Sequence, residues 1–190
     1  GLCSAVVDGK NAAVVEVNSE TDFVAKNETF KEYVEQVAAQ ALSSSASDMD
    51  AFMSEAWNAE SSKTVKDALT DKIAVIGENL KIRRFEKVTA EDGFVVSYIH
   101  GGGRIAVLLS MKGEENDATR EAAMNVAMQI AAMNPRYVSQ ADVDQDYLKS
   151  EENIIREQIA NDPAEAAKPD KVKEGMIKGR ISKLMKEVCL

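Results

Sequence analysis

Cysteine is scarce: Cys3 and Cys189 are the two in 190 residues, and they lie near opposite ends of the chain. That is too few for a disulfide scaffold, and their separation has no metal-ligand spacing. A reducing cytoplasm is the default compartment for such a chain. Aromatic side chains make up 5% of the residues, which argues against a base-stacking platform. Positive charge is also short. Lys and Arg number 23 against 32 Asp and Glu, a net charge of −9 with a pI near 4.8. Nonspecific nucleic-acid binding works by neutralising phosphates, so an acidic chain is a poor candidate for it. An acidic surface suits solubility, or a partner with basic patches. No apolar run approaches the ~20 residues that a membrane-spanning helix needs. His100 is the single histidine, and no histidine or cysteine cluster is available to hold a transition metal. No cofactor is implied. No signal peptide is visible at Gly1, and the lack of an initiator Met suggests a processed or truncated chain.

What is present suits a folded domain: 45% hydrophobic and 29% charged residues, enough for one or two cores. An internal repeat organises the first two thirds. Leu2-Cys3-Ser4-Ala5-Val6-Val7, a turn at Asp8-Gly9-Lys10-Asn11, the β-like run Ala12 to Val17 and a helix over residues 28–42 form one unit. Phe94-Val95-Val96-Ser97-Tyr98-Ile99, a turn at His100-Gly101-Gly102-Gly103, a strand over 104–111 and a helix over 117–133 form the second. The glycines supply the positive φ angles that hairpin turns need. Both helices show apolar residues at three- and four-residue spacing, as in Phe30, Val34, Val37, Ala38 and Leu42. Asn134-Pro135 ends the second.

Between the units, Ser43-Ser44-Ser45-Ala46-Ser47 reads as a flexible loop, followed by a short helix over 49–57 in which Trp57 belongs to the core or caps it. A helix over 65–74, capped by Thr64 or Ser62, is stopped by Gly77. Residues 80–88 alternate apolar and charged, a half-exposed strand leading into the second hairpin. From Asp142 the character changes. Helices over 143–161 and 171–186 flank a Pro/Ala-rich turn, with Tyr147, Ile154, Ile155 and Ile159 facing Val172, Met176, Ile177, Ile181, Leu184 and Val188. The second of these helices is basic, either a solvated face or a docking surface for an acidic partner. The pattern predicts an α+β fold. Two repeated subdomains, 1–79 and 80–141, would each carry a three-stranded antiparallel sheet packed with helices. A helical hairpin with a coiled-coil-like seam would occupy 142–190.

Enzyme chemistry finds little support. His100-Gly101-Gly102-Gly103 looks like an esterase oxyanion motif, which needs a Gly-x-Ser-x-Gly elbow and a separate catalytic histidine; neither occurs. The same glycines can be forced onto a dinucleotide fingerprint, but a strand follows them where a helix is required. There is no Gly-x-x-x-x-Gly-Lys-Ser/Thr loop. His100 reads as a surface or turn residue, and the bare backbone beside it lets another chain approach closely.

The stretch Asn18-Ser19-Glu20-Thr21-Asp22-Phe23-Val24-Ala25-Lys26-Asn27 carries the most information. It joins a strand to a helix and should be polar, yet it contains a Phe. Phe23 is either a hydrophobic staple docking the helix on the sheet or an aromatic anchor presented to a partner's pocket. Thr21-Asp22-Phe23-Val24-Ala25-Lys26-Asn27 resembles the signature of the elongation factor Ts family. Three further stretches match that family in order: Ile76-Gly77-Glu78-Asn79 with Ile82-Arg83-Arg84, then Tyr98-Ile99-His100-Gly101-Gly102-Gly103-Arg104-Ile105, then Met128-Gln129-Ile130-Ala131-Ala132-Met133-Asn134-Pro135.

The resemblance implies a cytoplasmic guanine-nucleotide exchange factor of translation elongation with no chemistry of its own. It would bind the GTPase elongation factor Tu, dislocate Mg2+ and promote GDP release, with no direct nucleic-acid or membrane partner. On the same ground Asp22 and Phe23, completed by Val24 and Ala25, would form the Mg2+-dislocating wedge, and Ile76, Gly77 and His100 would make the other contacts. The family's N-terminal helical domain has no counterpart here, and the family continues past the hairpin. The chain is therefore expected to be a core-and-hairpin fragment, one that binds weakly or exchanges poorly. The alternative is an interaction or dimerisation module of the same fold, pairing as a homodimer, with exchange lost through truncation.

Overall fold

The computed structural model describes all 190 residues, which fall into two compact units, Gly1–Ala131 and Ala132–Leu190. In the first unit, strands β1 (Leu2–Asp8) and β2 (Asn11–Asn18) form an antiparallel hairpin in continuous register, from Leu2 opposite Val17 to Asp8 opposite Asn11. Gly9 takes a φ of 58° at the turn, the positive value that a two-residue hairpin needs. Alternation along β2 then sorts its side chains. Ala13, Val15 and Val17 enter the main core, and Ala12 points to the opposite face.

Helix α1 (Glu28–Ser43) covers the core face with Phe30, Tyr33, Val34, Val37, Ala38 and Ala41. The side chain of Asn27 caps it by accepting the Phe30 N–H at 3.2 Å. A short helix, α2 (Met49–Ser54), delivers Phe52 to the same core, where its ring lies 4.6 Å from that of Phe85. Strands β3 (Ala56–Trp57) and β4 (Glu60–Thr64) form a small hairpin, so the helix expected to continue to Trp57 stops at Ser54. Trp57 is buried beside Tyr33, as a core residue. Helix α3 (Val65–Ile76) opens with a capping box between Thr64 and Asp67 and closes at Gly77, whose φ of 79° is left-handed. The serine-rich loop is tied down. Ser44 is buried and donates to Glu55 at 2.9 Å, and Lys87 Nζ donates to the Ser44 carbonyl at 2.6 Å.

Strand β5 (Lys81–Thr89) pairs with the free edge of β2, giving the sheet order β1-β2-β5. A bulge between Glu16 and Val17 leaves Arg83 out of the ladder. The extra residue puts Ile82 and Phe85, three apart, into the same core. Strands β6 (Gly93–His100) and β7 (Ile105–Lys112) pair in register as a two-stranded sheet. One face of this hairpin packs Phe94, Val96 and Val107 on Ala123 and Ala127 of helix α4 (Asp117–Met133). Its other face puts Val95 and Leu108 against Ala12 and Ala90.

The α+β class and the repeated hairpin-then-helix unit are therefore present. The second sheet has two strands where three were expected, because β5 lies along β2 instead of joining β6. The apolar residues of β5 explain this: Ile82 and Phe85 are held by the core under α1.

In the second unit, α5 (Gln145–Asn161), α6 (Pro163–Ala166) and α7 (Asp170–Val188) follow one another. The Pro/Ala-rich turn is partly helical, because Asp162 caps it by accepting the N–H groups of Ala164 and Glu165. Ile155 and Ile159 pack on Ile177, flanked by Met176 and Ile181. Arg156 bridges Glu152 and Glu174, and Arg180 holds the Glu165 carboxylate. Ile154 and Val172, expected in the seam, are each 45% exposed, so the helices meet in one compact cluster, and a continuous coiled-coil seam is not established.

Candidate partner-binding site

The turn between β2 and α1 is built from a lattice of hydrogen bonds. Val24–Lys26 form a single 3-10 turn, in which the Lys26 N–H donates to the Phe23 carbonyl and the Asn27 N–H to that of Val24. Val24 and Ala25 are half-buried against the main core. Phe23, one residue earlier, has right-handed helical backbone angles and a side chain that is 80% exposed. The staple reading is thereby overturned: the helix is docked by Val24, Ala25 and Phe30, and the Phe23 ring stands in solvent. Asp22 is exposed beside it and pairs with Lys26 at 3.4 Å.

A second segment fastens this turn. After α3, Gly77 reverses the chain, and the Glu78 carboxylate accepts the N–H groups of Glu20 at 3.1 Å and Thr21 at 3.0 Å, and also the Thr21 hydroxyl. Glu20 answers by accepting the Asn79 N–H at 3.3 Å. These bonds, led by that from the Thr21 hydroxyl, hold the Glu78 carboxyl below the usual range. Residues 76–79 and 20–25, more than fifty positions apart, thus share one surface. Ile76 is half-buried on the core, Gly77 is exposed, and Val75 is 72% exposed.

The tip of the β6–β7 hairpin is the third part. Gly101, Gly102 and Gly103 all have positive φ (61°, 66° and 97°). The Cys3 N–H donates to the Gly103 carbonyl at 2.7 Å, and a Cβ on Gly103 would come within 3.0 Å of Cys3 O and of Leu2. Only glycine lets this tip sit against β1. An open cleft of about 390 Å3 separates the two regions, with Glu20, Thr21, Asp22 and Ala25 on one wall and Gly101, Gly102 and Arg104 on the other. His100 is exposed at the strand end, and its Nδ1 lies 2.9 Å from the Tyr98 hydroxyl. His100, Ile76 and Gly77 do not line the cleft. No group of three or more His, Cys, Asp or Glu residues has the proximity to hold a metal ion, and no helix is long and apolar enough to cross a membrane.

The sequence model of a family described as Elongation factor TS matches residues 20–190, a span that contains the Phe23 turn, residues 76–79 and the glycine tip. The chain belongs to the elongation factor Ts family. It is 43% identical to the elongation factor Ts of Halothermothrix orenii over 183 residues, covering 96% of this chain and 60% of that protein. It is 44% identical to that of Clostridium novyi and 46% to that of Clostridium botulinum strain Alaska E43, each over 184 residues, 96% of this chain and 59% of the relative. The chain thus spans about three fifths of the length of these relatives.

Two features of this region escaped the reading of residues alone. Glu78 stands in the Ile76-Gly77-Glu78-Asn79 motif, but its bonds to Thr21 and Glu20 exist only in the folded chain. Val75 had a legible signal: the buried stripe of α3 runs through Val65, Ala68, Leu69, Ile73 and Ile76, and Val75 is out of phase with it.

Proposed function

We propose that this chain acts in translation elongation in the cytoplasm as a nucleotide-exchange partner of the GTPase elongation factor Tu. It would work by binding, with no bond made or broken on its own residues. The observation that carries this reading is Phe23, a large aromatic ring 80% exposed on a turn fixed at both ends. An exposed ring on a rigid root can enter a partner's pocket with little further loss of conformational freedom. Val24 and Ala25 root the wedge in the core, and Asp22 presents a carboxylate beside it. In the proposed complex this pair displaces the groups that organise Mg2+, and GDP leaves.

Exchange is negative coupling between two ligands: the factor weakens GDP as much as GDP weakens the factor. A 10⁴-fold weakening takes about 5.5 kcal/mol of differential binding. One buried aromatic supplies about 2–4 kcal/mol. Further contacts are therefore required, and Val75, Ile76, Gly77 and His100 are the proposed ones. The test is release of a fluorescent GDP analogue from elongation factor Tu, chased with unlabelled GDP, with and without this chain. Acceleration that is lost in Phe23→Ala supports the reading; an unchanged rate with the folded wild-type chain present in excess overturns it.

A further inference from the structure

We propose that Glu78 is a positioning residue for the Phe23 turn, fixing the direction in which the ring is offered to the partner. The proposal rests on the reading of Phe23 as a contact residue. Between the end of β2 at Asn18 and the 3-10 turn at Val24, the chain has few bonds of its own. The Ser19 hydroxyl donates to the Thr21 carbonyl at 3.1 Å, and Lys26 reaches Asp22 at 3.4 Å. Both are local, spanning two and four residues, and neither ties the turn to the rest of the fold.

Most of the long-range fastening comes from the Glu78 side chain, with one return bond from the Asn79 N–H to Glu20. Three donors, the N–H of Glu20 and both the N–H and the hydroxyl of Thr21, converge on the Glu78 carboxylate. Thr21 then passes the constraint on, since its Oγ1 accepts the Val24 N–H at 3.4 Å. Phe23 lies between those two anchored residues. Its ring has no core contact of its own, so its direction is set by the backbone on either side. Glu78 is itself aimed by the left-handed Gly77 that precedes it and by the return bond from Asn79 to Glu20. Charge-assisted bonds of this kind hold direction better than neutral ones. Removing the carboxylate frees the turn, and a freed turn must be reordered each time the partner binds.

Two measurements on the whole chain test this. The first is amide hydrogen exchange in the free protein. In Glu78→Ala the N–H groups of Glu20, Thr21 and Val24 should exchange roughly fivefold faster or more, while those of the β1-β2-β5 sheet keep their rates. Glu78→Gln, which keeps an acceptor oxygen, should fall between. Unchanged rates at Glu20, Thr21 and Val24 would overturn the proposal, as would equal loosening of the sheet. The second is a double-mutant cycle in the GDP-release assay. Glu78→Ala should slow exchange roughly three- to tenfold in the wild-type background and not at all in Phe23→Ala. Equal effects in both backgrounds would mean that Glu78 acts independently of Phe23, which sinks the proposal. If Phe23→Ala itself changes nothing, the contact reading of Phe23 fails, and amide exchange still decides whether Glu78 holds the turn.

Discussion

Tyr33 packs against Trp57 with ring centroids 6.0 Å apart, and its hydroxyl is buried there without a hydrogen-bond partner. The residue is 1% exposed, Lys72 Nζ stands 5.5 Å from its ring centroid, and burial raises the phenol pKa. The ring belongs to the core, whereas the hydroxyl forfeits its bonds to water. Tyr33→Phe should therefore be neutral or stabilising, by up to about 1 kcal/mol. Tyr33→Ala should cost about 3–5 kcal/mol, as for other large aromatics in a core. Urea denaturation of the two variants checks this; a loss of more than about 1 kcal/mol in Tyr33→Phe would reveal a partner for the hydroxyl.

Gly77 and Gly103 both have positive φ, but their surroundings differ. A Cβ on Gly77 meets nothing within 4 Å, so Gly77→Ala should cost about 1 kcal/mol, the left-handed penalty alone. On Gly103 the added atom meets the Cys3 carbonyl at 3.0 Å, and backbone must move. Gly103→Ala should cost clearly more, about 2 kcal/mol or above. The order of the two denaturation midpoints is the test; Gly77→Ala as the more damaging change would contradict it.

Acid should weaken the first sheet. Glu16 takes hydrogen bonds from Arg83 at 2.8 Å and Arg84 at 2.7 Å, and these lower its carboxyl pKa against the opposing effect of burial. A carboxylate with a folded pKa below its unfolded one stabilises the fold above the unfolded value, about 4.3. That contribution fades as pH falls from there through the folded pKa. The stability difference between the wild type and Glu16→Gln should thus be steady near neutrality and shrink below about pH 4.3. Equilibrium unfolding at several pH values measures it, and a difference that grows on acidification would reverse the assigned direction.

The second unit offers a contrast on a single helix. Ile159 is buried in the cluster with Ile155 and Ile177, whereas Ile154 is 45% exposed. Ile159→Ala should cost about 2–5 kcal/mol and open residues 145–188 to proteolysis. Ile154→Ala should stay within about 0.5 kcal/mol. Similar losses for both would mean that the helices share a longer seam than the buried cluster.

These cases show which parts of the molecule a reader of the sequence can reach. Both long hairpins were legible because alternation and glycine turns are local signals, and α1 because its apolar residues keep helical spacing. Strand β3 was not, since Ala56 and Trp57 are too few to show a period. The placement of β5 depended on a bulge at Arg83, which shifts the alternation midway and hides which sheet the strand serves. At the candidate site, Phe23, Val24 and Ala25 are three adjacent apolar residues, and their order does not say which one faces out. The 3-10 turn decides it, turning Val24 and Ala25 toward the core and leaving Phe23 exposed. The bond from Glu78 to Thr21 spans 57 positions, a distance over which no local pattern operates.

Val75 yields the sharpest test of the proposed contact surface. It stands 72% exposed on the last full turn of α3, directly before Ile76 and Gly77, and it makes no part of the core. Replacing it therefore costs the fold little, and Val75→Ser should change stability by less than about 0.5 kcal/mol. If it lies against the GTPase, the same change removes buried apolar area from the complex. A fully buried Val is worth about 1.5 kcal/mol or more, so association should weaken roughly tenfold. Val75→Lys should weaken it further, because a charge would then be desolvated at the contact. Phe23→Ala and Val75→Ser should reduce binding together, whereas Val138→Ser, exposed in the second unit, serves as the control. Titration calorimetry with nucleotide-free elongation factor Tu reads all four. Full affinity in Val75→Lys would exclude the end of α3 from the contact surface.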